Sequence, residues 1–216
     1  MELYNVDPEH PDPAALDAAA EVVLRGGVIA FPTDTIYGLG CSLFDVAAVE
    51  MVARLKRRDP SLAVISLIPS PSQAYGLASE VSATAERLIE RYWPGPLSLI
   101  FRAALVVPPR VRGVGGTVAL RCPKDRLCQA LLNQIGGPVV ASSANLTGHR
   151  PAETAEEVVA VFGNQLDLVI DGGPRHDEPS TLVDVSSERP RLLRRGSIDV
   201  VAELGDFEDA TNAPLH

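Results

Sequence analysis

The sequence predicts a single α/β domain built around a twisted, mixed parallel/antiparallel sheet flanked by helices. Segments with helical periodicity alternate with short apolar segments along the chain, a pattern typical of this fold class. Some of the apolar segments follow helices and others follow turns, which favours a mixed sheet over a purely parallel one. The 216 residues match the length of one ordinary domain.

The first half of the chain contains two helices with clear boundaries. Residues 13–24 place Leu16, Ala20 and Val23 on one face, and the glycine pair 26–27 ends the helix. A second helix is predicted from Asp45, a residue type that caps helix N-termini, to the region of Lys56.

Three further helices are bounded by prolines, glycines or capping residues. Residues 82–92 are helical by pattern and end at the Trp-Pro-Gly-Pro sequence 93–96. Residues 125–134 form the next helix. Thr154 and Glu157 have the spacing of a capping box, and Gly163 closes the helix that they begin. A short helix from Ser197 is also predicted.

Short apolar runs between these helices predict a sheet of about seven or eight strands. They lie at residues 28–31, 63–68, 97–101, 117–121, 139–141, 168–170, 181–185 and 192–194.

Composition excludes several protein classes. No run approaches the ~20 apolar residues that cross a bilayer, and the first residues lack the features of a signal peptide.

The three cysteines form no CxxC pair, so we expect reduced thiols and a cytoplasmic location. The net charge of −9 disfavours non-specific binding to nucleic acid, although arginines and lysines from distant positions can still converge in a local basic pocket.

We predict two regions in the chain, a domain at 1–202 and an acidic, flexible tail at 203–216. The tail contains Glu203, Asp206, Glu208 and Asp209 and has no sustained apolar periodicity.

Several common catalytic motifs are absent from the sequence. It contains no P-loop, no GxSxG and no HExxH, and its four histidines are isolated. The glycine-rich loop 113–116 precedes a predicted strand, whereas a dinucleotide-binding fingerprint requires a helix there.

Polar stretches do follow the predicted apolar strands, at the positions where α/β sheets usually place their binding sites. Each also has an ordinary structural interpretation. It could be a turn whose side chains hydrogen-bond to its own backbone, a group of cations at a helix C-terminus, or a helix cap. They lie at residues 32–40, 56–59, 121–123, 142–145, 179–184 and 193–196.

Arg121 raises a specific question because it ends a predicted core strand. A buried arginine needs an anionic partner or access to solvent. The partner is either the carboxylate of a ligand or an aspartate of the protein itself.

Taken together and in order, these stretches resemble the YrdC/TsaC family of threonylcarbamoyl-AMP synthases. The resemblance extends from about Gly26 to Ile198 and rests on GGVIAFPTDTIYGLG, KRR, WPGPLSLI, TVALRCP, SSANLTG, ETAEEVVAVFG, PSTLVD and LLRRGSI. It implies a concave, positively charged nucleotide-binding cavity. It also implies an enzyme, a nucleotidyltransferase, that forms threonylcarbamoyl-AMP and pyrophosphate from L-threonine, bicarbonate and ATP, with Mg²⁺ on the phosphates.

The resemblance also implies partners and residue roles. A tRNA-modifying complex would use the product, weak RNA contact is compatible with this role, and no membrane is involved. The residues expected to contact threonine are Thr35, Arg121 and Ser180. Those expected to contact ATP are Lys56, Arg58, Thr117, Ser143, Asn145 and Arg194. No catalytic residue and no protein ligand for a metal is implied.

One segment departs from the family pattern. Leu62-Ala63 stands where family members usually have a polar residue followed by proline. The chain could therefore be a YciO-like paralogue that binds RNA or nucleotide without this synthesis. A transferase that passes a related adenylate to another acceptor is the third hypothesis.

Overall fold

The structure, a computed structural model, describes residues 1–57 and 64–212. Arg58 and the Leu62-Ala63 departure lie outside the described residues. Within the described part of the chain, no helix is both long enough and apolar enough to span a membrane.

Apart from the short helix Ala74–Leu77, which was not predicted, the helices begin and end close to the positions predicted for them. The structure describes α1 Pro13–Leu24, α2 Val46–Leu55, α3 Ala74–Leu77, α4 Ala83–Tyr92, α5 Arg126–Ile135, α6 Ala155–Phe162 and α7 Val201–Leu204. The short helix predicted from Ser197 therefore begins four residues later, as α7.

Two of the predicted N-caps can be compared directly with the structure. The Asp45 side chain accepts a hydrogen bond from the Ala48 backbone N–H at 3.0 Å, which confirms the cap of α2. Thr154 Oγ1 likewise accepts from the Glu157 N–H at 3.3 Å. The reciprocal half of the predicted capping box is wrong, because the Glu157 carboxylate accepts from the N–H of Glu153 at 2.9 Å.

The strands form one mixed sheet, in the order β1-β8-β2-β3-β7-β4-β6-β5-β9-β10-β11. The sheet contains both parallel pairs, such as β4 with β6, and antiparallel pairs, such as β5 with β6, so the predicted fold class is confirmed. The strands are β1 Glu2–Asn5, β2 Ile29–Pro32, β3 Tyr37–Ser42, β4 Ile65–Leu67, β5 Leu97–Arg102, β6 Thr117–Arg121, β7 Val139–Ser143, β8 Leu168–Asp171, β9 Thr181–Asp184, β10 Arg191–Arg194 and β11 Glu208–Asp209.

The prediction of seven or eight strands missed β1, β3 and β11. Strand β3 contains Gly38 and Gly40, and glycines beside threonines and an aspartate indicate a turn. Here the glycine has a packing role, since a Cβ on Gly40 would lie 2.4 Å from the Phe31 ring on β2. The missing side chain lets β2 and β3 pair closely.

Helices pack on both faces of the sheet, but they leave part of one face uncovered. On that face α1 and α5 cover β8, β2, β7 and the edge of β4, burying Phe31, Leu131 and Ile170. Helices α2, α4 and α6 pack on the opposite face. The uncovered area over β4, β6, β5, β9 and β10 is where a cavity forms.

The segment predicted as a flexible tail has regular structure over part of its length. Leu204 is buried at the end of α7, and β11 pairs with β10 in parallel. The Ala210 N–H donates to the Leu192 carbonyl oxygen at 2.9 Å. Residues 213–216 lie outside the described part of the chain.

Candidate functional site

A cavity of about 800 Å³ lies on the uncovered face of the sheet. Its floor is aliphatic and is formed by alternate residues of neighbouring strands, including Ile65, Ile100, Ala119, Leu182 and Leu193. Such a cavity is large enough for a nucleotide-sized ligand.

Eight of the nine predicted site residues line this cavity, although the chain segments that carry them are far apart in sequence. They are Thr35, Lys56, Thr117, Arg121, Ser143, Asn145, Ser180 and Arg194. The ninth, Arg58, lies outside the described residues. The convergence fits the predicted shared pocket, and the role of each residue remains a prediction.

Lys56 lies at the C-terminal end of α2 and reaches the loop that follows β7. Its Nζ donates to Ser143 Oγ at 3.2 Å, to Asn145 Oδ1 at 3.0 Å and to the carbonyl oxygens of both residues. Thr147 fixes the other end of the same residue, because its N–H and its hydroxyl both donate to the Lys56 carbonyl oxygen. The ammonium group thus joins the helix end to the polar loop.

The loop after β7 is not a helix cap, which was one of the interpretations left open. Strand β7 ends at Ser143, and α6 begins only at Ala155. Asn145 Nδ2 donates to the carbonyl oxygens of Leu146 and His149, which directs its Oδ1 toward Lys56.

The buried Arg121 has an internal anionic partner. Its guanidinium forms an ion pair with the carboxylate of Asp34, and its Nε donates to the Gly95 carbonyl oxygen at 3.3 Å. Nη1 lies 3.4 Å from Thr35 Oγ1. Of the two alternatives for Arg121, the aspartate is present in the protein itself, and its contact with a threonine carboxylate remains a prediction.

Arg194 lies near Arg121 and differs from it in its partners. Its Nε donates to the Ser180 carbonyl oxygen at 2.9 Å, and its Nη2 donates to Ser180 Oγ at 3.1 Å. No carboxylate pairs with it among the described residues. Burial, followed by the charge of Arg121, lowers the pKa of the Arg194 guanidinium, as expected for a desolvated cation beside another.

The turn between β2 and β3 is fixed by its own hydroxyl groups and by a distant segment. Thr33 Oγ1 donates to the Ile36 carbonyl oxygen at 2.8 Å and lies 3.1 Å from Thr35 Oγ1. Arg175 Nε donates to the Thr33 carbonyl oxygen at 2.9 Å, and the Asp177 N–H donates to that of Thr35. Thr35 therefore faces the cavity from a turn that is held by hydrogen bonds on both sides.

The sequence analysis assigned no role to three charged residues of this region, although two of them lie in the polar stretches 32–40 and 179–184. Asp184 and Arg191 line the cavity, and Asp34 pairs with Arg121. The period-two alternation of β9 could have identified Asp184, because it places this residue on the same face as Ser180 and Leu182. The other two assignments depend on strand order, which the sequence does not reveal.

The described lining of the cavity contains more cations than carboxylates although the whole chain is acidic, and two of these cations, Arg121 and Arg191, are paired with Asp34 and Glu208 outside the lining. Its described residues include the cations Lys56, Arg121, Arg191 and Arg194, and one carboxylate, Asp184. The described part of the chain has no cluster of three or more metal-ligating side chains. The cavity is therefore suited to an anionic ligand.

Comparison with protein families identifies one match. Residues 21–196 match the model of the Sua5/YciO/YrdC family, which is described as "Telomere recombination". A threonylcarbamoyl-AMP synthase of Pyrococcus abyssi is 36% identical over 181 residues, covering 83% of this chain and 53% of the relative. A putative threonylcarbamoyl-AMP synthase of Mycobacterium tuberculosis is 34% identical over 193 residues, covering 89% and 88%.

Solved structures with the same fold include proteins named Sua5 and YciO. P. abyssi Sua5 complexed with L-threonine has a TM-score of 0.91 at 32% identity, over 96% of this chain and 62% of that one. Escherichia coli YciO has a TM-score of 0.87 at 29% identity, over 94% and 100%. The chain spans about half the length of the P. abyssi relative and nearly all of YciO. It belongs to the Sua5/YciO/YrdC family.

Proposed function

We propose that this chain is an L-threonylcarbamoyladenylate synthase. It would form threonylcarbamoyl-AMP and pyrophosphate from L-threonine, bicarbonate and ATP. The product would then serve a transferase complex that modifies tRNA to threonylcarbamoyladenosine. The observation that supports this most is the convergence of Lys56, Arg121 and Arg194 with hydroxyl groups around one cavity.

Similarity to known proteins adds support. Proteins named threonylcarbamoyl-AMP synthase are more than 30% identical to this chain. A relative with the same fold was crystallised with L-threonine. In our proposal threonine lies near Thr35, Arg121 and Ser180, and ATP lies near Lys56, Thr117, Ser143, Asn145 and Arg194, with Arg58 as a further phosphate contact.

Catalysis in this proposal depends on positioning and on charge neutralisation. The described lining contains no histidine and only one carboxylate, so it offers no acid–base pair. Cations that face the phosphates would stabilise the negative charge that develops as pyrophosphate leaves. Holding threonine and ATP in one cavity removes the entropy cost of bringing them together. Mg²⁺ bound to the triphosphate would neutralise further charge.

The test measures pyrophosphate release and the AMP-containing product from purified protein. We expect both to require threonine and bicarbonate together. Release of pyrophosphate that is indifferent to threonine would contradict the proposal. Binding of nucleotide or RNA without synthesis would favour a YciO-like function, and turnover with other amines would favour a different acceptor.

The two lysines of the chain provide a matched pair of variants. Lys56 lies in the cavity, whereas Lys124 is exposed and contacts Asp34 only through its backbone N–H. Lys56→Ala should reduce synthesis at least tenfold through the loss of a charge-assisted contact. Lys124→Ala should leave synthesis within about twofold, because surface charges contribute little. Equal effects of the two changes on synthesis would contradict the proposed contact between Lys56 and ATP.

A further inference from the structure

Asp184 is the one carboxylate among the described residues that line the cavity. It lies at the end of β9, where the alternation of the strand places it on the cavity face together with Leu182, and Ser180 directly before the strand also lines the cavity. A carboxylate in a cavity built to attract anions would oppose phosphate binding at its own position. A ligand group that donates hydrogen bonds would be complementary to a carboxylate at this position.

Local structure uses only part of the hydrogen-bonding capacity of Asp184. Its Oδ1 accepts from the Ser186 N–H at 2.9 Å in the turn after β9. Arg191 is its cross-strand partner on β10, but the Arg191 guanidinium is directed to Glu208, with Nε 3.2 Å from Oε2. Within the described part of the chain, Asp184 forms no ion pair. Its second oxygen therefore remains available to a ligand in the cavity.

The position of Asp184 makes the two ends of the cavity differ in charge. Ser180, which is bonded to Arg194, lies directly before β9 and precedes Asp184 by four residues, a distance of about 13 Å at roughly 3.3 Å per residue of extended chain. One end of this line carries the Arg194 guanidinium, and the other carries the Asp184 carboxylate, beside which the charge of Arg191 is paired with Glu208. Thr117 belongs to the anionic end, because β5 aligns Ile100 with Asp184 and Arg102 with Thr117.

A nucleoside triphosphate has the complementary arrangement of groups. Its phosphates are anionic and bind to cations. Its ribose presents two uncharged hydroxyl groups, which can donate hydrogen bonds to a carboxylate without like-charge repulsion. A hydrogen bond from such a hydroxyl to a charged acceptor is stronger than one between neutral groups. The opposite orientation would place a phosphate against Asp184, which like-charge repulsion disfavours.

We propose that Asp184 accepts hydrogen bonds from the ribose hydroxyl groups of the nucleotide and thereby makes the cavity selective for ribonucleotides. This inference rests on the proposed function, in which the cavity binds ATP. It adds a residue that determines specificity and orients the nucleotide. Asp184 takes no part in the chemical step.

The experiment measures the dissociation constants of ATP and of 2′,3′-dideoxy-ATP at constant Mg²⁺ by isothermal titration. The ratio of the two constants isolates the hydroxyl contact, since any effect of Asp184 on the phosphates is common to both ligands. We expect the wild type to bind ATP about tenfold more tightly than the dideoxy analogue. Asp184→Ala should reduce this ratio to about one.

Two control variants make the result specific. Asp184→Asn keeps an acceptor for the Ser186 N–H and should fold normally, yet it should show a reduced ratio, because the acceptor is no longer charged. Asp209→Asn changes the net charge by the same amount at an exposed site where Asp209 pairs with Arg195. This variant should keep the wild-type ratio.

Each other outcome overturns the inference. A wild-type ratio near one, or an unchanged ratio in Asp184→Ala, would do so while leaving the proposed function intact. A loss of discrimination between ATP and inosine triphosphate in Asp184→Ala would show that the residue contacts the base instead of the ribose. A wild type that binds no ATP would overturn the proposed function and this inference together.

Discussion

The carboxylate of Asp34 forms an ion pair with the guanidinium of Arg121 at the buried end of the cavity. The arginine side chain is only 5% exposed and the aspartate side chain 15%. The aspartate belongs to the turn between β2 and β3, and the arginine ends β6. The pair therefore joins two parts of the sheet and keeps a cation available beside Thr35.

Removing one member of this pair should destabilise the fold. Asp34→Ala leaves Arg121 buried without its carboxylate, which costs about 3–5 kcal/mol in the free energy of unfolding. The double variant Asp34→Ala/Arg121→Ala should lose less than the sum of the single losses, by about 1–3 kcal/mol. Urea denaturation of the four proteins measures this coupling. Additivity of the single losses would show that the ion pair contributes nothing to stability.

Arg121→Ala should raise the threonine requirement of the proposed reaction without a comparable effect on ATP. The substitution removes a charge-assisted contact and leaves Asp34 to repel the threonine carboxylate, so we expect at least a tenfold higher threonine KM. The ATP KM should stay within about threefold. Arg121→Lys should rescue only partly, because an ammonium lacks the planar fork of a guanidinium.

The matched control for this prediction is Arg126→Ala. The Arg126 side chain is 64% exposed and pairs with Glu9 outside the cavity. Its removal should change neither KM by more than about twofold. Equal losses for threonine and ATP in Arg121→Ala would contradict the assignment of Arg121 to the carboxylate.

Arg194→Gln should weaken ATP binding about tenfold. Glutamine can still donate to the Ser180 carbonyl oxygen, so the change mainly removes the positive charge. The dependence of ATP affinity on salt should also decrease, because one cation fewer faces the phosphates. The adjacent Arg195 is exposed and pairs with Asp209, so Arg195→Gln is the control and should bind ATP like the wild type. Isothermal titration at two ionic strengths separates these outcomes.

Strand β6 illustrates what the sequence predicts well. Its boundaries, Thr117 to Arg121, agree with the prediction, and its alternation correctly places the two residues on one face. Local signals suffice here because the strand is a compact apolar run between turn residues. The same holds for the N-cap Asp45, where the capping bond spans only three residues.

Contacts between distant segments could not be predicted in this way. The partner of Arg121 lies 87 positions away in the sequence, and only the order of β2, β3 and β6 in the sheet brings the two together. Strand β3 was missed because its glycines are typical of a turn in sequence. Their role in close packing against β2 is visible only in the folded sheet. The resemblance to a family led to the prediction of one shared cavity. Physical reasoning about each polar stretch alone could not decide between a binding role and a structural role.

Arg57 lies just beyond helix α2 in a left-handed conformation, with a φ of 52°. Glycine adopts this conformation without steric cost, although it also makes the unfolded chain more flexible. These effects nearly cancel, so Arg57→Gly should change the free energy of unfolding by less than about 1 kcal/mol. Arg57→Val should destabilise by more than about 1 kcal/mol, because a β-branched residue is strained there. Chemical denaturation that finds the two variants equal would contradict this explanation.

The three cysteines should react slowly with thiol reagents in the folded protein. All three are buried, and burial raises the pKa of the Cys41 thiol to about 12. Burial likewise raises the pKa of Cys122 and of Cys128. Because the thiolate is the reactive form, little of it exists at pH 8. Labelling with a chromogenic disulfide at pH 8 should therefore be slow in buffer and rapid in urea. Fast native labelling that Cys122→Ser abolishes would show that the segment directly after β6 opens to solvent.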